Sequence, residues 1–394
     1  HIYNKIYVLL AALQVTAFSG CIQETERETI PVITWAGVPA DRSAEVFPLL
    51  KECGINCHLG LYGDSAEALV ALKAAEETGI GLIPGFPGIR DSTSEAVAMM
   101  KDSPALVAWH IKDEPELWDI PWIAELVAKV QSLDSLHPPY VNLYPDWAWG
   151  QDGYADNIEA FASQVDVPFY SFDQYPVTEK DGKIAIRPTW YRNLEVFSAM
   201  AGRHGKPFWA FALTKSHHLG APSPPAFYPV PTIGHLRLQV FSDLLYGAQA
   251  IQYFTAEGLY DRETLGKTPV FDIVKEVNAG IKAYSPVFLG CSVEGVWHTG
   301  DTVPSHTRRL EAMPHPAVES LSVSGEGGVI SLVSNGGHIY LAIQNRDCEH
   351  DAVLDISFTR KVRLFTPEGV GRYDGRPVTL TAGNIAVFDL GKSR

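Results

Sequence analysis

From Ile30 onward, short apolar runs rich in β-branched and aromatic residues alternate with longer stretches whose apolar positions recur every three to four residues. The short runs at Val32 to Ala36, Ile55 to Gly60, Ile80 to Pro84 and Leu106 to Ile111 predict four strands. Those at Tyr140 to Tyr144, Pro168 to Phe172, Pro207 to Leu213 and Ala250 to Phe254 predict four more. Between them, segments such as Ser65 to Glu77 (closed by Gly79), Pro121 to Leu133 and Thr232 to Tyr246 read as helices. Their Ser, Thr or Pro starts and Gly stops supply what unpaired helix-end amides and carbonyls need. Eight such units in about 260 residues predict an α/β fold, a (β/α)₈ barrel. A doubly wound open sheet is the alternative, but no Gly-rich phosphate loop follows the first strand.

Past Tyr284 the texture changes. Runs at Gly328 to Ser334, His338 to Gln344, Ala352 to Phe358, Val362 to Phe365 and Asn384 to Leu390 are separated by Gly-, Asn- and Asp-rich turns with almost no helical periodicity. They predict a small C-terminal antiparallel β-sandwich. The expected layout is a signal peptide over 1–20, a tether over 21–29, the barrel over 30–288 and the sandwich over 289–394.

Composition narrows the class of molecule. Apolar residues make up 46% of the 394 and charged ones 20%, a balance that specifies a folded chain rather than a disordered one. A net charge of -15 with no clustered basic face argues against a nucleic-acid partner. At the N-terminus, Lys5 precedes an apolar run from Ile6 to Phe18 and then Ser19 and Gly20, the layout of a secretory signal and too short for a good membrane span. Phe18-Ser19-Gly20-Cys21 resembles a bacterial lipobox, with Phe18 in place of the usual Leu. The acidic stretch Gln23 to Glu26 resembles the export tags of surface lipoproteins in Bacteroides-like bacteria. Together these resemblances imply secretion across the inner membrane and a lipid on Cys21 that anchors the chain at the outer membrane or cell surface. The other cysteines, Cys53, Cys57, Cys291 and Cys348, lack metal-type spacing and read as free thiols, with a Cys53 to Cys57 disulfide as the alternative.

In a barrel of this kind chemistry sits where strands end, so the polar residues there carry the functional reading. The fourth strand reads LVAWHIKDEPEL, and its period of two puts Val107, Trp109 and Ile111 on one face and His110, Lys112 and Glu114 on the other, directing Glu114 into the barrel mouth. Asp113-Glu114-Pro115 resembles the Asn-Glu-Pro that ends the fourth strand in clan A glycoside hydrolases, the β-galactosidase and cellulase type of barrel. That resemblance spans roughly residues 30 to 285 and implies that Glu114 is the general acid/base, with Asp113 standing where the family has Asn. On the sixth strand Asp173 and Tyr175 share a parity with Ser171, which makes Asp173 the second catalytic candidate. The seventh strand, KPFWAFALTKSHH, departs from the family because it has no carboxylate where the nucleophilic Glu belongs. Glu257, after the eighth strand, is a third candidate, although its parity is opposite to that of Gln252. An adjacent Asp-Glu pair also divides the labour in substrate-assisted hexosaminidase families, a role open to Asp113 and Glu114.

Sugar-binding candidates surround these carboxylates. Asn142 and Tyr144 share one parity of the fifth strand, and the loop YPDWAWG offers Trp147 and Trp149 as ring platforms, with Asp146 for hydroxyls. His58, His217 and Tyr253 complete the set, and the Pro-rich stretch Leu219 to Pro231 reads either as a lid or as a structural arm. No metal-binding spacing and no GxSxG elbow appears, so no metal or cofactor is expected. The resemblance thus implies an extracellular glycoside hydrolase with a carbohydrate substrate. A noncatalytic glycan-binding lipoprotein and a substrate-assisted N-acetylhexosaminidase are the alternatives.

Overall fold

The computed structural model describes residues 29–220 and 226–392. The signal, Cys21, the acidic tag and positions 221–225 of the Pro-rich stretch lie outside the described residues. Eight parallel strands run in the spatial order Gly81–Gly85, Cys57–Leu61, Val32–Trp35, Ala250–Phe254, Phe208–Leu213, Tyr170–Phe172, Pro139–Leu143, Trp109–Asp113. The sheet closes on itself between the third and fourth strands. There Leu82 N–H donates to the Ala105 carbonyl at 2.7 Å and Val107 N–H to the Leu82 carbonyl at 2.9 Å. Closure removes the unpaired edges an open sheet would leave. The expected (β/α)₈ barrel is therefore the architecture present.

Two apolar layers hold it. Inside the barrel Ile33, Leu59, Ile83, Tyr140, Phe169 and Trp209 pack together, with the Phe169 and Trp209 rings stacked at 3.7 Å. Outside, strand residues of the opposite parity, such as Val32, Leu82, Trp109 and Phe172, meet the helices. Helix ends follow the predicted chemistry: Asp64 Oδ1 accepts from Glu67 N–H at 2.9 Å, and Gly79 closes the same helix at φ 69°.

The loops after the sixth and seventh strands build a second, four-stranded antiparallel sheet over the barrel mouth. His217–Leu219 pairs with Ala226–Tyr228, which pairs with Val177–Lys180, which pairs with Lys183–Ile186. The described part of the Pro-rich stretch therefore contributes a hydrogen-bonded strand.

Beyond the helix Pro269–Phe288, a six-stranded and a three-stranded antiparallel sheet enclose Ile330, Leu341, Leu354, Ile356 and Phe388. The strands at Ser292–His298, Val318–Val323, Gly369–Arg372 and Val378–Leu380 add to the five predicted. This sandwich is fastened to the barrel by buried polar contacts. Gln344 donates to the Leu238 carbonyl at 3.1 Å and accepts from Ser242 at 2.6 Å, and Ser331 donates to the Leu245 carbonyl at 2.7 Å. Cys53, Cys57, Cys291 and Cys348 are all free, and burial pushes the Cys53 thiol up to about 12.

Candidate active site

The fourth strand does not keep the alternation its sequence suggests. Its pairing to the fifth strand runs His110 with Tyr140, then Lys112 with Val141 and Asp113 with Asn142, so a bulge falls at Ile111. One extra residue reverses parity. Asp113, rather than Lys112, follows His110 onto the inner face, where its Oδ1 accepts from Asn142 Nδ2 at 3.1 Å. Glu114 then takes φ 46°, a left-handed conformation rare outside glycine, while its N–H donates to the Asn142 carbonyl at 2.8 Å. Both carboxyls consequently line one cavity of about 580 Å³ at the C-terminal ends of the strands. Strict alternation would have sent them to opposite faces.

Asp173, just beyond the sixth strand, joins them there and accepts from the same Asn142 amide at 2.8 Å. Asn142 thus spends both N–H bonds on carboxylates, while its Oδ1 accepts from Ser171 at 2.8 Å. Tyr144, Trp147, Tyr175 and His217 also line the cavity. Residues that strand parity left out stand beside them: Trp35, Glu116, Gln174, Phe211, Tyr228 and Phe254. Trp35 and Phe254 are the last residues of the first and eighth strands, a position that could have been read for aromatics as it was for carboxylates. Tyr228 had no such signal, since only the loop sheet carries it to the mouth.

Crowding sets the proton affinities. Glu114 is held well above the usual carboxyl range, first by burial and then by the neighbouring Asp173 and Asp113. Asp173 is raised by burial and by Asp113, against the opposing hydrogen bonds of Asn142, its own backbone and Tyr175. Burial also raises Asp113, with Asn142 and Lys112 acting the other way. Three carboxyls that cannot all ionise cheaply share a cavity walled by aromatic rings, an arrangement suited to proton transfer onto a bound ligand.

Five expected residues lie elsewhere. His58 has the parity opposite to the inward Leu59 and is fully buried between the strands and the helices, against Phe47 and bonded to Thr34 Oγ1 at 2.9 Å, where desolvation lowers its imidazole to about 3; it does not reach the cavity. Trp149 turns inward and is 5% exposed, packed in the layer between strands and helices, so the two-platform reading of its loop is corrected to Trp147 alone. Tyr253 has the parity opposite to the inward Gln252, and its hydroxyl donates to Asn278 on an outer helix at 2.8 Å. Glu257 is engaged by Lys215 and by Arg262 at 3.0 Å, and it lines a separate cleft with Gly37 to Asp41 and Tyr62. Its short 3-10 turn, Ala256–Gly258, holds it beside the first strand's loop. Asp146 is buried, accepting from Gln174 at 3.2 Å and Thr189 at 3.0 Å, and so ties loops together instead of facing sugar hydroxyls.

No protein-family model matches this sequence, and no curated protein matches it. Among solved structures, the endo-1,4-beta-mannanase from Rhizomucor miehei is similar at 14% identity and a TM-score of 0.42, covering 64% of this chain and 94% of that one. The Thermobacillus composti GH10 xylanase has 11% identity and a TM-score of 0.43, with coverages of 66% and 98%. The alpha-fucosidase from Thermotoga maritima has 10% identity and a TM-score of 0.42, with coverages of 88% and 78%.

Proposed function

We propose that this chain is a glycoside hydrolase that cleaves O-glycosidic bonds of oligo- or polysaccharides by carboxyl acid/base catalysis. The observation that carries the reading is the convergence of Asp113, Glu114 and Asp173 on one aromatic-walled cavity at the strand ends. Glu114, whose proton is held by burial and by its acidic neighbours, donates it to the leaving glycosidic oxygen. Asp173, steadied by Asn142 and Tyr175, is the second carboxylate, which stabilises or attacks the developing oxocarbenium ion. Trp147 and Tyr144 offer flat apolar faces to sugar rings. The test is hydrolysis of a panel of aryl glycosides and glycans by the wild type and by Glu114→Gln. Glycan binding without turnover in the wild type would replace this reading with a noncatalytic binding protein, as the carboxylate-free seventh strand would suggest.

Asp113 favours a second reading. It lies on the cavity wall beside the acid and is held by Asn142, as a residue steering a substrate acetamido group would need to be. Cleavage confined to 2-acetamido sugars, with Asp113→Asn the most damaging change, would establish substrate assistance.

The lipobox-like Phe18 to Cys21 and the acidic tag support secretion and a lipid anchor at the outer membrane or cell surface. Cys21→Ala should move the protein from the membrane to the soluble fraction, because acyl chains contribute about 0.8 kcal/mol per buried methylene.

A further inference from the structure

Beneath the carboxyls, four buried polar side chains from three strands make a chain of hydrogen bonds that all point the same way. Tyr140 O–H donates to Gln252 Oε1 at 2.8 Å, and Gln252 Nε2 donates to Ser171 Oγ at 2.8 Å. Ser171 O–H donates to Asn142 Oδ1 at 2.8 Å, and Asn142 Nδ2 ends the chain on Asp173 at 2.8 Å and Asp113 at 3.1 Å. None of Tyr140, Ser171 and Gln252 is exposed, and none lines the cavity. The interior of a barrel is ordinarily filled with apolar side chains, so polar groups here must be matched to one another to be tolerated. The matching has a direction. Ser171 has one proton and two oxygens within reach of it, Asn142 Oδ1 at 2.8 Å and the Tyr140 hydroxyl at 3.1 Å; with Gln252 donating to the Ser171 oxygen, the shorter contact takes that proton and it goes to Asn142. An Asn142 carbonyl so engaged cannot turn towards the cavity, and both amide hydrogens stay on the aspartates.

We propose that Gln252 and Ser171 are positioning residues of the active site: acting through Asn142, they keep one amide donating to Asp113 and Asp173 together and so favour the charged form of that pair. This rests on the glycosidase reading for its catalytic meaning, but the hydrogen-bond effect stands apart from it. Polarisation along a one-way chain strengthens the terminal bonds, and those bonds favour the charged form of their acceptors. The other ionisable groups facing the pair are Lys112, Glu114 and Glu116 from the fourth strand and its loop, and Tyr144 after the fifth. Tyr175 faces it after the sixth strand, His217 and Tyr228 from the loop sheet, and Tyr154 from the helix behind. The first, seventh and eighth strands present Trp35, Phe211 and Phe254, which do not titrate.

The experiment is a ¹³C NMR titration of the full chain with labelled Asp carboxyls, with signals assigned through Asp113→Asn and Asp173→Asn. In Ser171→Ala and in Gln252→Met the midpoint of the pair should rise by about one pH unit, the scale of losing part of a charge-assisted hydrogen bond. Ser171→Thr, which keeps the hydroxyl, should restore the wild-type midpoint. On a cleavable aryl glycoside, the acid limb of kcat/KM should move up with the midpoint while KM changes little. Unmoved carboxyl midpoints in a folded Ser171→Ala or Gln252→Met chain would overturn the proposal. A shifted titration in a protein that cleaves no glycoside would retire the glycosidase reading and keep the relay; an unmoved titration with intact turnover would do the reverse.

Discussion

Glu114 is where residue-scale physics bears most directly on function. Glu114→Gln keeps the shape but has no proton to give, so turnover of substrates with poor leaving groups should fall by roughly 10² to 10⁴ with the fold unchanged. An activated aryl leaving group should recover much of the rate. Initial rates on matched pairs of aryl and alkyl glycosides check both. The raised carboxyls also set the pH dependence. On the proposed roles, ionisation of Asp173 would govern the acid limb and loss of the Glu114 proton the alkaline limb; burial and carboxyl neighbours raise the first to about 7 and the second to about 9, so kcat/KM should peak between those values, on the mildly alkaline side. The same shifts bear on stability. A carboxyl raised on folding holds its proton more tightly in the native state, so stability is lost as pH climbs from the ordinary carboxyl range towards the raised values. Glu114→Gln should escape that loss, and its melting temperature should overtake the wild type's between mildly acidic and alkaline pH. Asp173→Asn should cost far more rate than Glu257→Gln, because Glu257 is committed to Lys215 and Arg262 in another cleft.

Among elements, the loop after the fifth strand separates two tryptophans that sequence alone treats alike. Trp147 lines the cavity with the Arg187 guanidinium 5.6 Å from its ring centre, whereas Trp149 is buried with its carbonyl accepting from Asn157 at 2.7 Å. Trp147→Ala should therefore weaken glycan binding by about 1–3 kcal/mol with little change in melting. Trp149→Ala should instead cost roughly 3–5 kcal/mol of stability, with affinity per folded molecule unchanged. Calorimetric binding and urea unfolding of the two variants tell the roles apart. The fourth strand teaches a related lesson. Its period-two pattern was legible, as was the strand-end position of Asp113-Glu114, but a bulge is a property of pairing with a neighbour. Strict alternation would point Glu114 into the mouth by parity, but the backbone brings it to the cavity through left-handed geometry after the bulge.

At the scale of the whole molecule, the barrel and the sandwich meet closely enough that a single methyl group matters. A Cβ on Gly234, in the helix Ile233–Leu245, would lie 2.2 Å from the Cys348 carbonyl. Gly234→Ala should cost about 1–3 kcal/mol as the two layers are forced apart, measurable as a lower urea midpoint. What the sequence determined by itself was periodicity and its consequences: eight strand-helix units, the change to antiparallel texture past Tyr284, and a pair of carboxyls at the end of the fourth strand. These are local properties, written in the spacing of apolar residues and in the Gly, Pro and capping residues between them. Tertiary structure decided which strand-end residues share a cavity. His58, Tyr253 and Glu257 satisfied a local rule and were placed elsewhere by Thr34, Asn278 and a Lys-Arg pair. Asn142 looked like a sugar ligand, and the structure spends its amide on two aspartates. The directed chain from Tyr140 through Gln252 and Ser171 was illegible for the same reason. Its members are 31, 81 and 112 residues apart in sequence and become neighbours only when the sheet closes into a barrel.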